Sequence, residues 1–146
     1  MSKKKMWTYL ITSFILVFAC VCVIVYELGC TNGVYRIEIN SRCISNDSVG
    51  NDWSKIYTMD GATIDSSIQV ISPIDTKMRK TVKVKIIERD SIPDIASDEI
   101  TFYLKDGEVK KTAVTVTEKN GRYRGNTAVW EIEVSVKLIK KTMKKA

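Results

Sequence analysis

The sequence contains no histidine among its 146 residues. Without histidine, Ser-His-Asp and Cys-His catalysis are excluded, and the most common zinc ligand in proteins is missing. The nucleotide-binding patterns GxxxxGK(S/T) and GxGxxG do not occur either, and the sequence has no CxxC pair. Because the usual signatures of catalysis are missing, we do not expect the chain to be an enzyme.

The body of the chain has no excess of positive charge. The formal net charge is +6, but three lysines before residue 6 and five lysines from residue 137 onward supply it. Residues 31–136 contain 15 lysines and arginines against 16 acids, so this part is close to neutral. Nucleic-acid binding needs a basic face on the domain itself, and we therefore expect no nucleic-acid partner.

One long hydrophobic run lies near the N-terminus. Residues 6–26 carry no charged side chain, and about 20 apolar residues at roughly 1.5 Å rise are enough to cross the hydrocarbon core of a bilayer. The run predicts a transmembrane signal anchor over residues 6–27. By the positive-inside rule the basic flank of residues 1–5 stays in the cytoplasm, and the C-terminal body then faces outside the cytoplasm.

Two other interpretations of this run remain open. In the first, it is a cleaved signal peptide and the body is secreted. In the second, the chain is a lipoprotein acylated at Cys20 or Cys30, since the residues before each of these cysteines partly match a bacterial lipobox. All three interpretations place the body in the same compartment.

Two of the four cysteines, Cys30 and Cys43, fall in the exported part of the chain. An oxidising compartment permits a disulfide between them, and closing so short a loop would stabilise the fold by about 3 kcal/mol. The alternatives are two unpaired thiols or a lipidated Cys30.

The rest of the chain shows the period-two pattern of β-strands. Trp130, Ile132 and Val134 alternate with Glu131 and Glu133, which is typical of a strand with one buried and one wet face. After a linker of residues 28–33, we predict an all-β, antiparallel, eight-stranded β-sandwich over residues 34–139, followed by a basic tail of residues 140–146. The predicted strands are 34–41, 53–59, 62–65, 68–72, 80–89, 99–105, 108–118 and 127–139.

The order of these strands predicts where their connections lie. Because consecutive strands run antiparallel, alternate connections fall at the same end of the sandwich. One pole is expected to hold the connections 42–52, 66–67, 90–98 and 119–126, and the other those at 60–61, 73–79 and 106–107. The first pole then collects half of the body's acids, which are Asp47, Asp52, Asp65, Glu88, Asp90, Asp94, Asp98 and Glu99.

This acidic pole is a candidate calcium site. Carboxylates about 4 Å apart repel one another by roughly 1 kcal/mol in water and by about 4 kcal/mol at an effective dielectric constant of 20. Calcium takes six to eight oxygen ligands from flexible loops and needs no histidine. The alternative is an acidic rim in solvent, neutralised by nearby arginines and lysines. The candidate ligands are Asp47, Asp52, Glu88, Asp90, Asp94 and Asp98.

The stretch around residues 88–98 resembles a known calcium loop. Glu88 and Asp90 form an acid-x-Asp pair at the end of a strand, and Asp94 and Asp98 follow in the predicted loop. This pattern resembles the calcium loop of C2-type β-sandwich domains. The resemblance implies bound calcium, with Asp47 and Asp52 lying where such domains carry an earlier aspartate pair.

A second candidate site is the glycine-framed loop 120–126. It contains Arg122, Tyr123 and Arg124, and exposed arginine and tyrosine are frequent hot spots of protein interfaces. We interpret these three residues as partner-binding, with a locally packed hairpin loop as the alternative.

Together these patterns favour a non-enzymatic binding or adhesion-type module. It would be held at the membrane by residues 6–27 and would present its acidic pole to a protein or to a polymer of the cell envelope. One alternative is a structural or accessory subunit of an envelope complex. A second is an enzyme with paired carboxylates, such as a glycoside hydrolase, which would need two acids about 5–10 Å apart across a cleft.

Overall fold

The computed structural model describes residues 11–22, 24, 30–74 and 77–143. The predicted flank of residues 1–5, much of the predicted anchor and residues 144–146 lie outside the described residues. Residues 11–22 and 24 are helical. Among the described residues, no helix combines the length and the apolar character needed to cross a membrane.

In the described residues, eight antiparallel strands form two four-stranded sheets, which confirms the predicted all-β sandwich. One sheet has the order β4-β1-β8-β7 and the other has the order β3-β2-β5-β6. The strands are β1 (Cys30–Asn46), β2 (Trp53–Met59), β3 (Ala62–Ile64), β4 (Ser67–Pro73), β5 (Arg79–Glu88), β6 (Asp94–Tyr103), β7 (Val109–Thr117) and β8 (Thr127–Met143).

The hydrophobic core lies between the two sheets and is built from alternate residues of the strands. On β5, Val82, Val84 and Ile86 are completely buried. Phe102 of β6 is the largest of the fully buried side chains. The pattern follows from the strand geometry, because successive side chains point to opposite faces of a sheet.

Three of the described strands extend at least four residues beyond their predicted limits. Strand β1 begins at Cys30, and β8 continues to Met143, because the two strands pair with each other over this whole length. Strand β6 begins at Asp94, so the predicted 90–98 loop is confined to residues 89–93. Asp94 and Asp98 therefore lie within a strand. The prediction that they lie in a loop is wrong.

The predicted disulfide between Cys30 and Cys43 is wrong. Cys43 is free, and its thiol donates to the carbonyl oxygen of Ser45 at 3.2 Å. Both cysteines belong to strand β1, and the strand rise of about 3.3 Å per residue separates them by roughly 40 Å. A disulfide requires Cα atoms about 4–7 Å apart.

The strand directions separate two ends of the sandwich. We call the end that carries the connections 47–52, 89–93 and 118–126 the far pole. The opposite end, the near pole, carries Cys30 at the start of β1, the turn at 60–61, the connection 104–108 and the end of β8. The N-terminal segment therefore joins the sandwich at the near pole.

The connection between β3 and β4 belongs to neither pole. It crosses from one sheet to the other partway along β1, where Ile39 N donates to Ser66 O at 2.7 Å. Asp65, which the order of the strands predicted at the acidic pole, is therefore not part of it.

The core predicts the effect of two neighbouring substitutions on β6. Phe102→Ala should lower the free energy of unfolding by about 3–5 kcal/mol, because it leaves a cavity between the sheets. Tyr103→Ala is the matched control, because Tyr103 is 44% exposed and exposed substitutions change stability by about 0.5 kcal/mol or less. Denaturant unfolding of the full chain measures both; equal losses would contradict this account of the core.

Candidate functional site

Three buried carboxylates meet at the far pole. Glu88 is 4% exposed, Asp94 is 0% exposed and Glu118 is 8% exposed. Charged side chains are rarely buried unless they are paired, so these three side chains mark the most unusual region of the fold.

The strand pattern itself directs these carboxylates inward. Glu88 continues the inward series of Val82, Val84 and Ile86 at the end of β5. Glu118 follows the buried residues Val114 and Val116 just after the end of β7. Their side chains therefore occupy core-facing positions at the mouth between the two sheets.

Asp94 completes the group from the neighbouring strand. It is the first residue of β6 and pairs directly with Glu88 across the β5–β6 ladder. One of its oxygens, Oδ1, accepts a hydrogen bond from Lys119 N at 3.2 Å. This bond ties the start of β6 to the residue that follows Glu118.

Two of the carboxylate oxygens have no hydrogen-bond partner among the described residues. Glu88 Oε2 and Asp94 Oδ2 are buried and receive no donor from this part of the chain. Within the described ranges, no side-chain nitrogen of a lysine or arginine lies within 4.0 Å of the carboxylates of Glu88, Asp94 or Glu118. A buried acceptor without a donor costs about 1–3 kcal/mol, and more when it is charged, so this arrangement favours a proton or an external cation.

Burial and mutual repulsion perturb the acid groups. Burial raises the pKa of Glu88, and the charges of Asp90, Glu118, Asp94 and Asp52 raise it further. Burial likewise raises the pKa of Glu118, as does the nearby charge of Asp94, whereas the backbone N–H of Asn120 lowers it.

The 47–52 connection covers Glu88 from above. Asn46 shapes it: its Oδ1 accepts from Val49 N at 3.0 Å, and its Nδ2 donates to Gly50 O at 2.7 Å. Gly50 has φ 138°, and a Cβ atom there would stand 2.2 Å from Glu88 Oε1. Only glycine therefore lets the loop close this tightly over the carboxylate.

A cavity of about 680 Å³ opens to solvent above these acids. Glu88 and Glu118 reach it from the interior, and Tyr123 and Arg122 border it from the 118–126 connection. Tyr123 is 50% exposed, and the guanidinium carbon of Arg122 lies 5.8 Å from the centre of its ring. The other lining residues are Asn46, Ser48, Val49, Gly50, Asn51, Asp90, Asn120 and Gly121.

The structure brings together only part of the predicted metal set. Glu88, Asp90 and Asp94 lie at the far pole with Asp52 close enough to act on Glu88. Asp47 is exposed, and its backbone N–H donates to Thr127 O at 2.9 Å.

Asp98 serves a different purpose from the one predicted. It lies four residues from Asp94 on β6, which is about 13 Å at roughly 3.3 Å per residue. Its Oδ2 accepts from Thr112 Oγ1 at 2.6 Å. This bond links the edge strands β6 and β7 of the two sheets. In the part of the chain that the structure describes, no group of three or more Asp, Glu, Cys or His is arranged to hold a metal ion.

Sequence reasoning missed Glu118, although the sequence carried a signal for it. The alternation Val114, Val116, Glu118 continues the core-facing series of β7 by one step beyond the strand. The predicted partner-binding loop is divided in a similar way, because Arg122 and Tyr123 line the cavity and Arg124 is exposed outside its lining.

The raised pKa of Glu88 predicts how stability depends on pH. The folded state holds the proton of Glu88 more tightly than the unfolded chain does. Stability is therefore greatest below the unfolded value of about 4.3 and is lost as pH rises through the higher folded pKa. Glu88→Gln, which is neutral at every pH, should flatten this decline and raise the melting temperature at pH 7 relative to wild type.

Thermal melting of the full chain between pH 4 and pH 8 measures this effect. Glu99→Gln, on the exposed face of β6, is the control and should keep the wild-type pH profile. An identical profile for the Glu88→Gln variant would show that the charge of Glu88 carries no penalty in the fold.

Comparisons of the chain with protein-family models, with curated proteins and with solved structures found no match. The resemblance of residues 88–98 to the calcium loop of C2-type domains therefore stays a prediction, which these comparisons neither support nor refute.

Proposed function

We propose that the chain is a non-enzymatic binding module, tethered to a membrane by its N-terminal segment, whose far pole receives a partner outside the cytoplasm. The observation that carries the proposal is the cavity at the far pole, which is lined by the buried side chain of Glu88, whose Oε2 receives no donor from the described residues. It lies at the opposite end of the sandwich from Cys30, where the N-terminal segment joins. A tether at the near pole would leave this cavity pointing away from the membrane.

The exposure of the N-terminal helix supports the tether. The exposed fraction of the large apolar side chains between Ile11 and Ile24 ranges from 49% for Val21 to 73% for Phe14. An all-round apolar surface of this kind is unfavourable in water and favours lipid as its surroundings. Residues 6–27 remain the proposed anchor.

The cavity also supports binding rather than catalysis. Two acids with raised pKa are what a carboxylate-based hydrolase would use. However, these two acids, Glu88 and Glu118, are only 4% and 8% exposed, and a general acid must come within hydrogen-bond reach of the bond that it protonates. They therefore suit a narrow side chain that enters the cavity better than a bond inside a larger substrate. The exposed groups at the rim, above all Tyr123, are instead of the type that dominates protein interfaces.

Calcium is the metal that the sequence predicts for this pole, and it enters the proposal as a second ligand. Clustered carboxylates favour a cation of any kind. Calcium is placed second because the described residues include no group arranged to hold a metal ion, whereas calcium needs six to eight oxygens around it.

The alternative of an accessory subunit rests on different surfaces. The edge strands β4 and β7 of one sheet, and β3 and β6 of the other, offer backbone groups to a neighbouring strand. In that case the N-terminal helix and a sheet edge would make the contacts, and the far pole would make none.

Site-specific photocrosslinking in native membranes tests the proposal. A crosslinking side chain at position 123 should give a discrete product, because this position borders the cavity. The same side chain at position 103 is the control, since Tyr103 is similarly exposed but lies at the near pole. Deleting residues 6–27 should move the chain from the membrane fraction to the soluble fraction.

Two results would contradict the proposal. Retention of the shortened chain in washed membranes would remove the tether. Products from positions in 11–22 or on β7, with none from position 123, would favour the accessory subunit.

A further inference from the structure

We propose that the far-pole cavity binds the side-chain ammonium group of a lysine presented by a protein partner. This inference rests on the proposed function and specifies the chemistry that the cavity recognises.

The acidic side chains at the far pole attract a positive charge. Glu88, Asp94 and Glu118 converge from the ends of three strands, and Asp90 also lines the cavity. Within the described ranges, no cationic side chain reaches the three buried acids within 4.0 Å. A cation from outside would relieve their mutual repulsion.

A buried oxygen of Glu88 lacks a hydrogen-bond donor among the described residues. Glu88 is 96% covered because its exposed fraction is 4%, yet it lines the cavity and its Oε2 receives no donor. Asp94 Oδ2 is also buried without a donor, although Asp94 does not line the cavity. Among the described residues no N–H or O–H group is bonded to either oxygen, so the donor that Glu88 lacks has to come from a proton or a ligand.

The arrangement of the acids favours an ammonium group over other cations. An alkylammonium group is a compact charge with three donors, whereas a guanidinium group presents a planar fork that fits one carboxylate in two-point contact. The acids that line the cavity are Glu88, Asp90 and Glu118, and three acids around one cavity suit the three donors of an ammonium group better than a planar fork. A metal ion suits them less, because the described residues contain no metal-holding group.

The cavity also has the size and shape to accept a lysine side chain. Its volume of about 680 Å³ admits an entire lysine side chain. The half-exposed ring of Tyr123 lies at the rim, where it can contact the apolar stem of the lysine while the charged end reaches Glu88. Arg122 lines the same rim over the Tyr123 ring, so its charge repels an incoming cation and the attraction of the acids must outweigh this repulsion.

Titration of the full chain in detergent micelles, followed by NMR, tests the inference. The probe is a short neutral peptide with one central lysine, and its matched control carries ε-acetyl-lysine, which has the same stem without the charge. Signals of Gly50 and Gly121 report on the cavity, and those of Gly61 and Gly107 report on the near pole. We expect the lysine peptide to shift only the first pair and to bind at least about tenfold more tightly than the acetylated peptide.

Variants connect the binding to the acids. Glu88→Gln and Glu118→Gln should each weaken binding of the lysine peptide by about tenfold or more, because each removes a buried partner of the ammonium group. Glu99→Gln on the outer face of β6 should leave the affinity unchanged.

Four further results discriminate between ligands. Equal binding of the acetylated peptide would overturn the inference in the wild-type chain, even if a variant failed to fold. The signals of Gly50 and Gly121 also report on other ligands. If an arginine peptide, cadaverine or calcium ions shifted them with higher affinity than the lysine peptide does, the inference would be overturned. The ligand would then be, respectively, a guanidinium group, a free small amine or a metal ion. Crosslinking from position 123 does not depend on a lysine in the partner. If crosslinking gave a product but the lysine peptide did not bind in the NMR titration, this inference would be rejected and the proposed function would stand.

Discussion

The structure depends on the burial of alternate side chains between two antiparallel sheets. Burial of apolar area stabilises by roughly 25 cal/mol per Å², and here it is supplied by inward-facing residues such as Val84, Phe102 and Ile132. A strand cannot choose the direction of a single side chain, because the alternation is a property of its backbone. The same constraint that forms the core therefore turns Glu88 and Glu118 inward at the ends of their strands.

The cost of that constraint is concentrated at one pole. At the far pole the apolar series ends in carboxylates, and the chain closes over them with a loop that only Gly50 permits. Two acceptors remain without donors there. Natural folds tend to break local rules at functional sites, which is the physical reason to look for function at this pole and not along the regular faces of the sheets.

The direction of the chain gives this pole its context. Strands β1 and β8 are the longest, and they pair along almost their entire length. The start of β1 and the end of β8 therefore lie together at the near pole, whereas the connections that surround the cavity lie at the opposite end. Register shifts such as that between Cys43 and Ser45 bend the far end of this pair, beside the 47–52 connection that covers Glu88.

The sequence by itself determined the class of fold, the number of strands and the pole to which Glu88 and Asp90 belong, because period-two alternation and turn residues are local properties of the chain. It also contained the inward position of Glu118, in the alternation from Val114 onward. Only the tertiary structure decided that Asp94 and Asp98 belong to a strand, because pairing with β5 overrides the weak strand preference of aspartate. It alone also decided that Asp94 faces Glu88 while Asp98 bonds Thr112, and that Cys30 and Cys43 stay apart, because contacts between distant segments depend on which strands pair and in which register.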